Sequence, residues 1–262
     1  MTAPPTVRLA MGQMLVEAGV PEANLARAEA MIAEAAAQGA QVIVLPETLD
    51  LGWTAAEAAM LAETIPGERC ARLARAAEHH QIMVAAGLTE RAGDLVYNSA
   101  VLFDRDGRVA ATHRKIAELD FARQSYATGT SLGVADTSLG RVGLAICADY
   151  WTPTLGLAQA AMGSQILLSP SAWAVPQDFD NARTPYGDEW MASYRTIIDA
   201  HDIPIVGVSN VGHITSGGWA GHACIGASIA MGRNGIVAAR GPFGARAEAL
   251  VIVDLELGKS SS

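Results

Sequence analysis

Two periods of apolar residues alternate along this chain. "VRLAMGQM" (7–14) is a strand-like run. "PEANLARAEAMIAEAAAQGA" then repeats Leu25, Ala28, Met31, Ile32 and Ala35 at helical spacing, with Gly39 as its stop. "QVIVLPE" (41–47) is a short β-branched run ended by proline, the form of a strand buried on both faces. "GERCARLARAAEHH" predicts a helix with Cys70, Leu73, Ala74 and Ala77 on one face, and "IMVAAGL" (82–88) another strand. "NSAVLFDRDGRVAATHRK" predicts a hairpin turning at Asp106-Gly107.

After Gly140 the same order returns. "RVGLAIC" answers "VRLAMGQ", "PTLGLAQAAMG" answers the first helix, and "QILLSPS" (165–171) answers "QVIVLPE", with Pro170 in the part of Pro46. A helix around "DEWMASYRTIIDAH" precedes the strand "IPIVGVSN". "SIAMGRNGIVAA" (228–239) matches "AVLFDRDGRVAA" (100–111) almost position for position, Gly235 standing for Gly107. An internal repeat of this kind predicts an α/β fold of two βαβαββ halves, their sheets packed face to face with helices outside. No linker separates the halves, so residues 1–262 are read as one domain.

Composition narrows the function. Apolar residues make up 50% and charged residues 17%, as in a folded globular chain. A net charge of -9 argues against nucleic acid or an anionic membrane as partner. No apolar run approaches the roughly 18–20 residues of a membrane span. The opening "TAPPTVRLAMGQ" lacks the pattern of a signal peptide. Three scattered cysteines, Cys70, Cys147 and Cys224, suit neither a disulfide framework nor a CxxC metal site, and a reducing cytoplasm is the expected setting. The apolar surplus and the uncharged segment "TPTLGLAQAAMG", with small residues Gly156, Ala160 and Ala161, lead us to expect a homodimer or a higher even oligomer.

The two halves differ where chemistry belongs. Pro46-Glu47 ends a strand where the second half has Pro170-Ser171, and Cys147 ends a strand where the first half has about Gly12. In α/β sheets ligands gather beyond the carboxyl ends of parallel strands. By residue type Cys147 is either a small hydrophobe closing a buried strand or a nucleophile. A nucleophilic thiol needs a base, or a cation that favours the thiolate. His222 is the one candidate histidine base, and nothing in the sequence places it near Cys147. Glu47 is the alternative: a buried glutamate beside a thiol can shuttle a proton. Lys115, leaving the hairpin into a long loop, is a candidate cation.

These elements together resemble the nitrilase superfamily, the carbon–nitrogen hydrolases. The resemblance rests on "VIVLPE" around Glu47, "HRK" ending in Lys115, "GRVGLAICADYWTP" around Cys147, "GSQILLSPSAW", "YRTIIDAHDIPIVGVSNVG" and the "GASIAMGRNG" hairpin, in that order. It implies a four-layer α-β-β-α sandwich with internal pseudo-two-fold duplication, and catalytic roles for Glu47, Lys115 and Cys147. The implied reaction cleaves an amide or N-carbamoyl C–N bond through a cysteine thioester, without metal or organic cofactor. In it Lys115 favours the thiolate, and with the Ala148 backbone N–H it holds the oxyanion. Nitrile hydrolysis, acyl transfer from the same thioester and a non-catalytic scaffold role are the alternatives. Where the family carries a further glutamate after the lysine, this chain has Arg123 or Gln124, so Glu118 is the candidate second carboxylate and Asp120 its rival. Trp53, Tyr150, Trp151 and Trp173 lie near the motifs and are candidate pocket residues for a small amide-type substrate with an apolar acyl group.

Overall fold

The strand-period runs fold as strands; the first proline-bearing run stops at Val44, before Pro46, whereas its twin continues through Pro170 to Ser171. The structure, a computed structural model, describes residues 5–259. The first half contains β1 (Thr6–Gln13), α1 (Pro21–Ala37), β2 (Val42–Val44), the short α2 (Ala58–Leu61), α3 (Glu68–His80), β3 (Met83–Ala92), β4 (Leu95–Phe103) and β5 (Val109–Arg114). The second continues with β6 (Val134–Thr137), β7 (Gly140–Leu144), α4 (Pro153–Ala161), β8 (Ile166–Ser171), β9 (Ala174–Val175) and α5 (Asp188–His201). It ends with β10 (Ile205–Ser209), β11 (Val211–His213), β12 (Ala223–Ile225), β13 (Ile229–Met231), β14 (Val237–Arg240) and β15 (Ala249–Glu256).

Two six-stranded sheets carry the fold, in the orders β15-β1-β2-β3-β4-β5 and β14-β13-β10-β8-β7-β6. Read from opposite ends they are one plan: parallel neighbours β1-β2-β3 answer β7-β8-β10, and the hairpin β4-β5 answers β13-β14. The correspondence extends to defects. Both hairpins shift register at matching residues, Leu102/Phe103 and Ala230/Met231, and turn on glycines with φ of +74° (Gly107) and +72° (Gly235). Each sheet also gains an edge strand outside the repeat, β15 and β6. Sequence reading missed β6, β9 and β11, because such short strands carry too few residues to show a period.

Alternation along each strand builds the layers. In the first sheet Leu9, Met11, Val42, Val44 and Met83 face the second sheet, while Ala10, Ile43, Leu45 and Val84 face α1 and α3 through Leu25, Ile32, Leu73 and Ala77. Burying each large side chain of this kind contributes about 1.5–3 kcal/mol. The second sheet turns Leu167 outward, where it and Ile197 of α5 close on Gly156 of α4. Helices therefore cover both outer faces, giving an α-β-β-α sandwich. The predicted role of Gly156 and Ala160 in a subunit contact needs correction: both are buried inside the subunit, and a Cβ on Gly156 would stand 2.3 Å from Ile197 Cδ1. The outward face of α4 is instead Thr154, Ala158 and Ala161. Among the described residues no helix is long and apolar enough to cross a membrane.

Candidate active site

Three loops at one end of the sandwich bring Glu47, Lys115 and Cys147 together. Glu47 follows β2, where Pro46 ends the ladder, and its backbone lies against Gly87 of β3. A Cβ there would stand 2.5 Å from Glu47 Cα, so only glycine permits the approach. Lys115 follows β5 and keeps one more ladder bond, its N–H donating to Asn98 C=O at 2.9 Å. Cys147 follows β7 and opens a short 3₁₀ turn with φ of +45°, a conformation unfavourable for any residue with a Cβ. Two acceptors hold that turn. Ser169 Oγ takes the Cys147 N–H at 3.0 Å, and Asp149 Oδ2 takes the Ile146 N–H at 2.9 Å. Asp149 Oδ1 accepts from Ile116 N (3.0 Å) and Ala117 N (2.7 Å), tying the lysine loop to the cysteine turn. His113 Nε2 completes this buried tether at 2.8 Å from Asp149 Oδ2.

At the centre the Lys115 ammonium donates to Glu47 Oε1 at 2.7 Å and lies 3.6 Å from Glu118 Oε2. Asn98 Nδ2 donates to both carboxylates, at 2.5 Å to Glu47 Oε1 and 2.9 Å to Glu118 Oε1. Glu47 Oε2 is buried and has no hydrogen-bond partner among the described residues. Burial alone would push Lys115 down, but Glu118, Glu47 and Cys147 together hold it well above its ordinary value, as a fixed positive charge. Glu118 is shifted up, by burial and by Glu47, against the opposing pull of Lys115 and Asn98. The Cys147 thiol is pushed up by burial and then by Glu47, which outweigh Lys115. Lys115 does favour the thiolate, but desolvation and the adjacent carboxylate, which both disfavour a second anion, outweigh it.

Glu118 occupies the place sought for a second carboxylate. It is buried, whereas the Asp120 side chain is 99% exposed and among the described residues is ion-paired with Arg123 alone, at 3.7 Å. Ala148 also lies at the site. In the 3₁₀ turn the first internal bond runs from Asp149 N–H to Ile146 C=O, so the N–H groups of Cys147 and Ala148 precede it. Ser169 takes the former, and Ala148 lines the pocket. The cavity above these groups has a volume of about 490 Å³. Trp53, Trp151 and Trp173 line it as predicted. Tyr150 does not: it is fully buried, with its hydroxyl donating to Gln159 Oε1 of α4, because the last residue of the turn points back under the helix. His222 stacks on Trp219, ring centroids 5.2 Å apart, and takes no part in the wall.

Sequence reading missed Asn98, Asp149 and His113 as organisers of the site, and Tyr186, Trp190 and Trp219 as pocket wall. A signal existed for Asn98, a polar residue at a fully buried position inside the strand run "YNSAVLF". The wall residues gave none, since Tyr186 and Trp190 on one segment and Trp219 on another lie far in the chain from Glu47, Lys115 and Cys147.

Known proteins are similar to this chain in sequence, and others in fold. Omega-amidase NIT2 of Danio rerio is 34% identical over 176 residues, 63% of this chain and 63% of that protein. A nitrilase of Pyrococcus abyssi is also 34% identical over 176 residues, 65% of this chain and 66% of that one. The matched stretch thus spans just under two thirds of these relatives. A crystal structure of a carbon-nitrogen hydrolase from Helicobacter pylori G27 superposes with a TM-score of 0.85 at 22% identity, covering 96% of this chain and 89% of that chain. That of an amidase from Nesterenkonia sp. superposes with a TM-score of 0.81 at 21% identity, covering 98% and 92%. The profile of the carbon-nitrogen hydrolases matches residues 8–262, so this chain belongs to the carbon-nitrogen hydrolase family.

Proposed function

We propose that the protein hydrolyses the C–N bond of an amide or N-carbamoyl compound, releasing an acid and ammonia or an amine, through a thioester on Cys147. The observation that carries this reading is the pairing at Glu47. One carboxylate oxygen is fixed by Lys115 and Asn98, and the other is buried, without a partner and beside a protonated thiol. A free lone pair on a positioned carboxylate is what a general base requires.

In the proposed sequence Glu47 Oε2 takes the Cys147 proton as Sγ adds to the carbonyl carbon. The negative charge on the carbonyl oxygen is met by the Lys115 ammonium and the Ala148 N–H. Glu47 then passes the proton to the nitrogen, the C–N bond breaks, and the acyl group remains on Sγ. Water enters, gives a proton to Glu47 and adds to the thioester. Collapse expels Sγ, Glu47 returns its proton to sulfur, and the acid leaves. Lys115 stays charged throughout, as its setting between two carboxylates favours, and Glu118 with Asn98 keeps it in place.

The names of the omega-amidase and nitrilase relatives support this reaction class. Ammonia release should be measured across amides, N-carbamoyl amino acids and nitriles, with acid-quenched protein analysed by mass spectrometry. The expected result is hydrolysis of an amide or carbamoyl compound with an acyl mass added at Cys147. Turnover in Cys147→Ala, or release of acyl product only when an acceptor other than water is supplied, would refute it.

A further inference from the structure

All five tryptophans of this 262-residue chain line the one cavity above Cys147. They come from five separate segments, so no local sequence feature gathers them. Their rings form two groups. Trp173 stacks on Trp190 at 5.0 Å and meets Tyr186 at 6.1 Å, while Trp151 stands edge-on to Trp190 at 4.8 Å. From the other side Trp219 stands edge-on to Trp53 at 5.4 Å. Among the described residues no close ring pair joins the two groups, and the cavity is bounded by both.

Charge is segregated as strictly as the rings. Glu47, Lys115 and Glu118 sit at the floor and are already engaged with one another, and among the described residues the only other charged side chain on the wall is Arg123, 56% exposed. Core packing does not explain Trp151, which is 48% exposed next to the nucleophile turn. A volume of about 490 Å³ far exceeds what a small aliphatic acyl group fills, and water left against indole faces would forfeit the burial those faces offer. Aromatic walls favour a planar ring, by area and by edge-to-face or offset stacking.

We infer that the pocket selects amides whose acyl group carries an aromatic ring, the arylalkanoyl amides, over small aliphatic ones. This inference rests on the amide-hydrolysis reading for its reaction and on the five tryptophans for its specificity.

Phenylacetamide and 3-phenylpropanamide should be compared with propionamide. The expected kcat/KM ratio in favour of the aryl amides is at least about 30-fold, within the range a well-filled apolar pocket provides. Trp219→Ala and Trp151→Leu, one from each ring group, should each lower that ratio about fivefold or more. Trp151 is exposed, so its variant folds even if the other does not. Calorimetric titration of Cys147→Ala separates binding from chemistry: 3-phenylpropanamide should bind at least about tenfold tighter than propionamide. If no amide is turned over but this binding preference holds, the reaction reading fails and the aromatic specificity stands. If amides are turned over with a ratio below about three, or an aliphatic amide with an ionic tail is preferred, the aromatic specificity fails alone.

Discussion

The two halves of the molecule share a plan and differ at three points. Ladder registers pair Val44 with Ala85 and Met11 in one sheet, and Leu168 with Leu144 in the other, so β2 answers β8 and β1 answers β7 residue by residue. Counting onward, Glu47 corresponds to Ser171 and Cys147 to Met14, two residues beyond the Gly12 estimated from sequence. The hairpins put Lys115 opposite Phe243. Each reactive residue therefore has an unreactive twin at the matching strand end, and of the pair Cys147 and Met14 only Cys147 takes a positive φ. The twins even touch, with the Glu47 N–H donating to Ser171 C=O at 3.2 Å, where the two strand ends meet. What a strand end does is thus set by its side chain, its neighbours and, at Cys147, its own turn, while the shared plan supplies the position.

Exchanging reactive residues for inert ones breaks this comparison most directly. Cys147→Ala should lower turnover by about 10⁴-fold or more, as loss of a nucleophile does, while Ser171→Ala should stay within a few-fold of the parent; initial-rate assays decide. A Cys147→Ala enzyme that retains activity would make the halves chemically equivalent.

Glu47→Gln tests the asymmetry in two opposite senses. Hydrolysis should fall about 10³-fold, since general acid–base help is worth about 10²–10⁴. Alkylation of Cys147 by iodoacetamide should become faster, because a neighbouring anion that raises the thiol is gone. In the parent protein labelling should climb with pH through the alkaline range, without the plateau near pH 9 of an ordinary thiol at about 8.5. Unchanged labelling in the variant would mean that Glu47 does not govern the thiol, and slower labelling that it acts on the resting thiol as a base and not as a repelling charge.

Glu118→Gln should cost about 10- to 100-fold in kcat through a loosened Lys115, and Asp120→Asn almost nothing, since that side chain lies in solvent. Equal effects would remove the distinction between the two carboxylates.

The smallest effect concerns stability in acid. Burial opposes ionisation of Asp149, but His113 and the backbone N–H groups prevail and hold it below its ordinary value. A depressed folded value means that the contribution is present above about pH 4 and is lost as pH falls through the folded value. Thermal melts should therefore weaken toward acid, and Asp149→Asn should flatten that slope while lowering kcat. An unchanged slope would show that the tether between the lysine loop and the cysteine turn carries no such linkage.

The sequence by itself determined the repeat. Periodic runs, prolines at strand ends and glycines at hairpin turns are local preferences, each expressed within a few residues, and two copies in one order define two like sheets. It also marked Glu47 and Cys147 as departures from that repeat, at strand ends that face one side, and the family resemblance added Lys115. Tertiary structure decided which neighbours those residues acquired. Glu118 and Asp120 are two residues apart and chemically alike, yet one is sealed against Lys115 and the other is in water, a difference set by how the loop packs. The setting of the Cys147 thiol has the same origin: proximity to Lys115 favours the thiolate, but desolvation and Glu47, which oppose it, act only once the chain is folded around them. Tyr150 and Trp151 adjoin in sequence and part in space, one under α4 and one at the pocket mouth. The gathering of all five tryptophans is longer in range still. Burial, charge proximity and pocket shape are properties of segments distant in the chain, so no window of sequence contains them.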